Sequence, residues 1–178
     1  MDLRGFWTTK EETKTHVFDI CLCNTIIALC KEWNIKTIVD IGCGNGSYVK
    51  HFLDNEMDCG GFDGSPLTPD FCYIQDFSKP QRIGKYGLVL SLEVGEHIPK
   101  KYEQIFLDNL VDASISLIIL SWAIEGQKGD GHVNCQNNGY IIQQMENRGF
   151  HYNDKATYYL KQGCEFAWFL DTILVFER

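Results

Sequence analysis

The segment from Ile38 to Ser47 constrains the fold more than any other part of the chain. It reads Ile-Val-Asp-Ile-Gly-Cys-Gly-Asn-Gly-Ser, so a run of apolar, β-branched residues leads directly into a turn with three alternating glycines. Such residues are typical of a strand buried on both faces of a parallel sheet. Because glycine has no Cβ, a ligand can approach the backbone of this turn closely. We therefore expect a strand, a ligand-binding turn and a helix in succession.

The rest of the chain alternates strand-like and helix-like segments. Strands are predicted at residues 37–41, 59–62, 71–74, 86–92, 116–122, 150–152 and 172–177, and helices at 14–33, 47–55, 100–113, 139–148 and 157–161. This alternation predicts one α/β domain over residues 1–178, with a mostly parallel seven-stranded sheet and helices on both faces. Residues 1–33 form its N-terminal helical or lid segment. Ligands of such sheets bind beyond the carboxyl ends of the strands.

Composition restricts the partners of the chain. The formal net charge is −8, whereas nucleic-acid-binding surfaces are usually basic, so no nucleic-acid partner is expected. The longest apolar run, residues 115–124, is too short to cross a membrane, and the N-terminus lacks a signal-peptide pattern. The eight cysteines include no Cys-x-x-Cys pair, which favours free thiols in an intracellular, cytoplasmic protein.

Acidic residues follow the second and third predicted strands. Asp63 ends the second strand, 23 positions after Asp40. A carboxylate there can accept hydrogen bonds from both hydroxyls of a ribose, although Asp63 can also be a turn residue before Gly64. Asp76 and Phe77 follow the third strand in the same way. These positions predict a site for a nucleoside-containing ligand.

The Asp-x-Gly-x-Gly-x-Gly spacing from Asp40 to Gly46 resembles motif I of the class I S-adenosylmethionine-dependent methyltransferases. A nicotinamide fingerprint would require glycine at position 47, where the chain has serine. The resemblance extends over residues 37–177 and implies a Rossmann-like methyltransferase fold with S-adenosylmethionine as cofactor. It also implies that Asp63 binds the ribose and that Asp76 and Phe77 bind the adenine. The complete set of implied cofactor-binding residues is Asp40, Gly42, Cys43, Gly44, Asn45, Gly46, Asp63, Asp76, Phe77 and Leu92.

A second motif follows the fourth predicted strand. Glu93, Glu96 and His97 provide three potential metal ligands within five residues. Their Glu-x-x-Glu-His arrangement resembles the metal-binding motif of the small-RNA 3′-terminal 2′-O-methyltransferases, in which two glutamates, the adjacent histidine and a later histidine bind a divalent cation. His132, in the polar loop after the fifth strand, is the natural fourth ligand, although the two histidines are closer in sequence than in those enzymes. The resemblance implies a Mn²⁺ or Mg²⁺ site formed by Glu93, Glu96, His97 and His132.

Two carboxylates and two imidazoles leave two positions of an octahedral coordination sphere for a vicinal diol. The metal would orient the diol and lower the pKa of the attacked hydroxyl, with His97, His132 and Glu93 as catalytic residues. Trp122, Asp130 and Asn134 are the predicted substrate contacts. Trp122 can stack on a sugar ring or belong to the core. In the structural alternative, Glu93 and Glu96 form ion pairs and His97 caps a helix.

The predicted function is methyl transfer to a hydroxyl of a sugar or glycan. The chain is similar to the methyltransferase domains of glycan-modifying systems in bacteria and large DNA viruses, among them the rhamnose-methylating domain of chloroviruses. Three alternatives remain: methylation of a terminal RNA ribose, metal-independent methylation of a small molecule with a histidine general base, and nucleotide binding without catalysis.

Overall fold

A seven-stranded sheet forms the centre of the structure, a computed structural model that describes residues 1–12 and 16–178. The strands are β1 (Thr37–Ile41), β2 (Asp58–Asp63), β3 (Tyr73–Ile74), β4 (Tyr86–Ser91), β5 (Ser114–Ser121), β6 (His151–Tyr152) and β7 (Ile173–Glu177). Their order is β3-β2-β1-β4-β5-β7-β6. All pairings from β3 through β5 are parallel, and β7 is antiparallel to both of its neighbours. The prediction of a seven-stranded, mostly parallel sheet is confirmed.

Six α-helices accompany these strands in the described part of the chain. They are α1 (Ile20–Glu32), α2 (Ser47–Asp54), α3 (Glu103–Ala113), α4 (Asn138–Glu146), α5 (Asp154–Gln162) and α6 (Phe169–Thr172). The four-residue helix α6 has no counterpart in the sequence prediction, because it is too short to show a helical repeat.

The two faces of the sheet carry separate apolar clusters. On one face, Ile38 packs with residues of α1, α2 and α5, including Ile26, Phe52 and Leu160. On the other face, Val39 packs with residues of α3 and α4. Because successive residues of a strand point to opposite sides, β1 is buried on both faces, as its β-branched residues predict.

The largest error in the sequence prediction concerns the start of the first helix. The predicted helix over residues 14–33 begins at Ile20, and Lys14 lies outside the described residues. The Asp19 side chain accepts a hydrogen bond from the Leu22 N–H at 2.8 Å and so caps the helix. His16 therefore precedes the helix and is free to lie elsewhere.

Other differences are at element ends. The predicted helix over residues 100–113 begins with a 3₁₀ turn, Lys100–Tyr102, before α3. The helix predicted over residues 157–161 is longer, because the Asn153 side chain caps it by accepting from the Ala156 N–H at 2.9 Å. All eight cysteines are free, as predicted. Within the described ranges, no helix is long and apolar enough to cross a membrane.

Candidate functional site

A cavity of about 250 Å³ lies beyond the carboxyl ends of β1, β2 and β4. Its walls come from the glycine turn after β1, the end of β2, the segment after β4 and the N-terminal segment. Trp168 and Phe169, just before and within α6, complete it. The cavity thus occupies the position at which open parallel sheets bind ligands.

The glycine turn has the backbone shape that its sequence requires. Gly42, Gly44 and Gly46 have φ angles of 85°, 54° and 73°, in the left-handed region that favours glycine. A Cβ at Gly42 would overlap the side chain of Val94. The Gly42 N–H donates to the Phe62 carbonyl of β2 at 2.7 Å, which ties the turn to the neighbouring strand. This turn therefore exposes backbone to the cavity at a fixed position.

Eight of the ten residues predicted to bind the cofactor line the cavity: Asp40, Gly42, Cys43, Gly44, Asn45, Asp63, Phe77 and Leu92. Gly46 belongs to the same turn but is not part of the wall. Asp76 is not part of the wall either. Its carboxylate forms ion pairs with Arg4 at 2.8 Å and Lys79 at 3.3 Å. Gln75, which the sequence analysis did not select, lines the cavity at this point.

Two acidic side chains, Asp40 and Asp63, line the cavity. Asp63 accepts hydrogen bonds from the N–H groups of Gly44 at 2.9 Å and Ser65 at 2.7 Å, so it joins the end of β2 to the glycine turn. Burial, and secondarily the charge of Asp63, raises the pKa of Asp40 to about 8. A positively charged ligand would relieve the cost of ionising this buried group.

Two aromatic residues of the N-terminal segment reach the cavity, and the sequence analysis did not assign either to the cofactor. His16, expected on the first helix, lies beside the glycine turn, where a Cβ at Gly44 would be 2.6 Å from its Nδ1. This Nδ1 is buried and has no hydrogen-bond partner among the described residues, and burial lowers the pKa of the ring. The Trp7 ring lies edge-on to His97, with centroids 5.2 Å apart. No spacing in the sequence relates these residues to the sheet, because only the tertiary fold brings them there.

The second motif forms a compact group of potential metal ligands. One ligand atom from each of Glu96, His97 and His132 lies within 4.8 Å of the others. Glu96 is fully buried, and neither of its carboxyl oxygens makes a hydrogen bond of good geometry among the described residues, although the Glu93 carboxyl and the Ala123 backbone are close enough to affect its pKa. A buried acid with incomplete hydrogen bonding is costly, and together with the two histidines it could hold a cation.

Backbone carbonyls orient both histidines. The Nδ1 atoms of His97 and His132 lie 3.2 Å from the Gly131 carbonyl oxygen and 3.3 Å from that of Gln127. A carbonyl oxygen only accepts, so each Nδ1 carries a proton and each neutral ring keeps an unprotonated Nε2. The His132 Nε2 lies 4.0 Å from Glu96 Oε1. Burial lowers the pKa of His97 to about 4, so this ring is neutral near pH 7 and can act as a ligand.

Glu93 lies beside this group and faces the cavity. Its φ of 54° places a non-glycine residue in the left-handed region, a strained conformation that is common at functional sites. The Glu93 N–H donates to Ser121 Oγ at 2.7 Å, and its Oε1 accepts from Thr172 Oγ1 at 3.3 Å. Among the described residues, Glu93 stands outside the three-residue group.

The two glutamates are electrostatically coupled. Burial raises the pKa of Glu93, and burial together with the charge of Glu93 raises the pKa of Glu96 well above its usual range. In the described part of the chain, no lysine or arginine forms an ion pair with either residue, which disfavours the ion-pair alternative. A divalent cation would allow both groups to ionise.

The three residues predicted to contact substrate lie away from the cavity. Trp122 is fully buried, and its Nε1 donates to the Asn134 carbonyl at 2.6 Å, so it belongs to the core, one of the two roles that the sequence allowed. The Asn134 side chain is also buried and donates to Glu103 Oε2 at 2.9 Å. Asp130 is exposed in a turn. Trp122 is buried because Gly95 leaves space that its ring fills.

Part of the sequence is similar to a plant methyltransferase. No family model matches the chain. The chloroplastic tocopherol O-methyltransferase of Arabidopsis thaliana is 29% identical over 112 residues, a match that takes in 52% of this chain. The match spans only 32% of the length of the plant protein.

Solved methyltransferases have similar folds. Magnesium protoporphyrin IX methyltransferase from Synechocystis, with bound S-adenosylhomocysteine, has a TM-score of 0.67 and 18% identity, over 94% of this chain and 83% of that one. The methyltransferase domain of bacterial CtHen1 has a TM-score of 0.64 and 16% identity, over 89% of this chain and 98% of that one. The sugar N-methyltransferase KedS8 from Streptoalloteichus has a TM-score of 0.69 and 11% identity, over 89% of this chain and 87% of that one. The chain has the class I methyltransferase fold. Sequence identities this low support a shared fold, but they do not identify the acceptor molecule.

Proposed function

We propose that this chain is a divalent-metal-dependent O-methyltransferase. It would transfer a methyl group from S-adenosylmethionine to one hydroxyl of a vicinal diol, on a sugar or glycan. The observation that supports this most directly is the fully buried, unpartnered Glu96 carboxylate beside two histidines with free Nε2 atoms.

The cofactor part of the proposal is supported by the methyltransferase fold and by the cavity. The glycine turn, Asp40 and Asp63 line this cavity together with Glu93 and His97 of the second motif. S-adenosylmethionine carries a sulfonium and an ammonium group. A cationic ligand of this kind would be attracted by Asp63 and would favour ionisation of the buried Asp40. A cofactor at the turn would therefore place its methyl group in the same cavity as the second motif.

The donor set of the second motif fits a metal ion. Glu96, His97 and His132 would hold it, and Glu93 would add a second carboxylate from the cavity wall. Carboxylate oxygens favour Mg²⁺ or Mn²⁺, and the two imidazoles shift the preference toward Mn²⁺. When bound, the cation would supply Lewis-acid activation of a hydroxyl and a template for the neighbouring one.

A sugar acceptor agrees better with the surface than RNA does. The net charge of −8 disfavours binding to a polyanion. The cavity wall contains Trp7 and Trp168, whose rings can pack against the apolar face of a sugar. We therefore assign sugar packing to Trp7 rather than to the buried Trp122.

One observation favours a second candidate, a metal-independent methyltransferase with a histidine general base. His97 lines the cavity, and its neutral ring has an unprotonated Nε2 that can accept a proton, but the low pKa of about 4 makes it a weak base. The unpartnered Glu96 behind it has no role in that mechanism, which is why we prefer the metal-dependent one.

Metal removal separates these candidates. Protein treated with chelator and desalted is assayed with S-adenosylmethionine and a panel of glycosides, each paired with the deoxy analogue that lacks one hydroxyl of the diol. We expect activity only with Mn²⁺ or Mg²⁺ restored and only on intact diols. Full activity in the metal-free protein would refute the metal-dependent mechanism, and a preference for RNA 3′ ends over all sugars would refute the acceptor class. The Glu96→Ala variant should bind the cofactor normally and lose activity.

A further inference from the structure

Glu103 is a buried carboxylate with a complete set of hydrogen-bond donors. It is the first residue of α3 and is fully buried. Lys100 Nζ donates to both of its oxygens at 2.9 Å, and the Tyr140 hydroxyl donates to Oε1 at 2.5 Å. Asn134 Nδ2 donates to Oε2 at 2.9 Å, and Gln104 Nε2 donates to Oε1 at 3.1 Å. Burial alone would raise the pKa of Glu103, but the hydrogen bonds from Tyr140, Lys100 and Asn134 outweigh it and lower the pKa. Glu103 is therefore a stable anion that joins three parts of the chain.

Asn134 connects this anion to the potential metal ligands. Its backbone N–H and that of Val133 both donate to the Glu96 carbonyl oxygen at 2.9 Å. Its own carbonyl accepts from Trp122 Nε1 at 2.6 Å. The loop that carries His132 is thus fastened to Glu96 by its backbone and to Glu103 by the Asn134 side chain.

We propose that Glu103 is a positioning residue for the metal site. It holds the His132 loop against the turn that carries Glu96 and His97, so that the three ligand atoms stay close together. This inference rests on the proposed function, because it assigns Glu103 to the same metal site. Glu103 itself touches neither the cavity nor the ligand atoms in the described contacts.

The Glu103→Gln variant tests this role with little change in volume. An amide presents one acceptor oxygen and brings an NH₂ group against the existing donors, so the link to Asn134 or that to Lys100 and Tyr140 is lost. Partners behind metal ligands typically contribute about 10- to 100-fold in metal affinity, and we expect a loss of that size for Mn²⁺. The affinity for S-adenosylmethionine should remain within about twofold, since motif I is untouched. Asp108→Asn is the matched control, because Asp108 is on the same helix and pairs with Arg148 at the surface at 2.8 Å.

Three measurements test whether Glu103 positions the metal site. Mn²⁺ affinity is measured by electron paramagnetic resonance titration at a temperature where all variants are folded. Hydrogen exchange of the Val133 and Asn134 amides is measured without metal, and should be faster in Glu103→Gln only. A double-mutant cycle with His132→Ala should show that the two losses of Mn²⁺ affinity are not additive, because Glu103 acts through His132.

A residue that only stabilised the fold would lower the melting temperature and leave Mn²⁺ affinity unchanged, and that result would overturn the positioning role. Wild-type protein that binds no Mn²⁺ would instead refute the proposed function and this inference with it. If Glu103→Gln does not fold, Tyr140→Phe removes a single donor and should weaken Mn²⁺ binding by a smaller factor. Unchanged affinity in that folded variant would equally overturn the inference.

Discussion

Asp40 should make the stability of the metal-free, cofactor-free protein fall as the pH rises. Its carboxyl group is buried, and its pKa in the folded protein is about 8, against 3.8 when unperturbed. Below pH 3.8 the group is protonated in both states and contributes nothing. Between the two values the unfolded chain loses this proton while the folded protein keeps it, so unfolding becomes steadily more favourable. Above pH 8 both states are ionised, and the penalty stays constant.

The magnitude follows from the two pKa values. Each pH unit within the interval costs about 1.4 kcal/mol, so ionisable Asp40 lowers the free energy of unfolding at pH 7 by about 4 kcal/mol. The Asp40→Asn variant carries no such proton. Its stability relative to wild type should therefore increase by about 3 kcal/mol between pH 5 and pH 7. Comparing two pH values cancels any change in packing or hydrogen bonding that the amide introduces.

Urea unfolding at pH 5, 6 and 7, followed by tryptophan fluorescence and far-ultraviolet circular dichroism, measures this difference. Asp54→Asn is the control, because Asp54 forms an exposed i,i+4 pair with Lys50 and its effect should be nearly the same at each pH. A difference between Asp40→Asn and wild type that stays within about 0.5 kcal/mol from pH 5 to pH 7 would show that Asp40 is ionised in the folded protein. That result would refute the view that a positively charged ligand is needed to ionise this buried group.

Three further variants test the cavity walls. Gly42→Ala should abolish cofactor binding and lower the melting temperature, because its φ of 85° and its contact with Val94 exclude a Cβ. Gly126→Ala, with a φ of 87° but open space around it, should lower the melting temperature less. Equal losses of melting temperature in the two variants would contradict this reason. His16→Ala should weaken S-adenosylmethionine binding about two- to tenfold by calorimetry, the range for one hydrogen bond, and an unchanged affinity would exclude His16 from the site. Trp7→Ala should raise the KM for a sugar acceptor more than the KM for the cofactor, and the reverse order would assign Trp7 to the cofactor instead.

Strands and the glycine turn were predictable because their signals are local. The β-branched run in β1 and the glycines at 42, 44 and 46 specify backbone shape without reference to the rest of the chain, and the structure has both. The carboxyl-end rule then placed Asp63 and Glu93 at one edge of the sheet. His132 was predictable for the same reason, since its loop follows the strand beside β4.

Contacts between distant segments were not predictable. Asp76 pairs with Arg4, 72 positions away, and no periodicity relates the two. Trp122 directly follows β5, but its ring turns into the core, where Gly95 leaves room and the Asn134 carbonyl accepts its N–H. The role of Asn134 likewise depends on Glu103, a residue that reads as an ordinary first-turn acid of an amphipathic helix. A side chain whose orientation depends on a partner far along the chain gives no local signal.

The buried Glu96 carboxyl group also has a consequence for the stability of the folded protein. A ligand that binds only the folded state adds RT ln(1 + [L]/Kd) to its stability, which is about 2.7 kcal/mol when free metal is 100 times Kd. Under the proposed function, the supply of divalent cation would then set the lifetime of the protein as well as its rate. Scarce metal would leave a folded population with a buried, uncompensated acid, and such a population is more open to unfolding and proteolysis. The same side chain would thus make protein abundance follow metal supply.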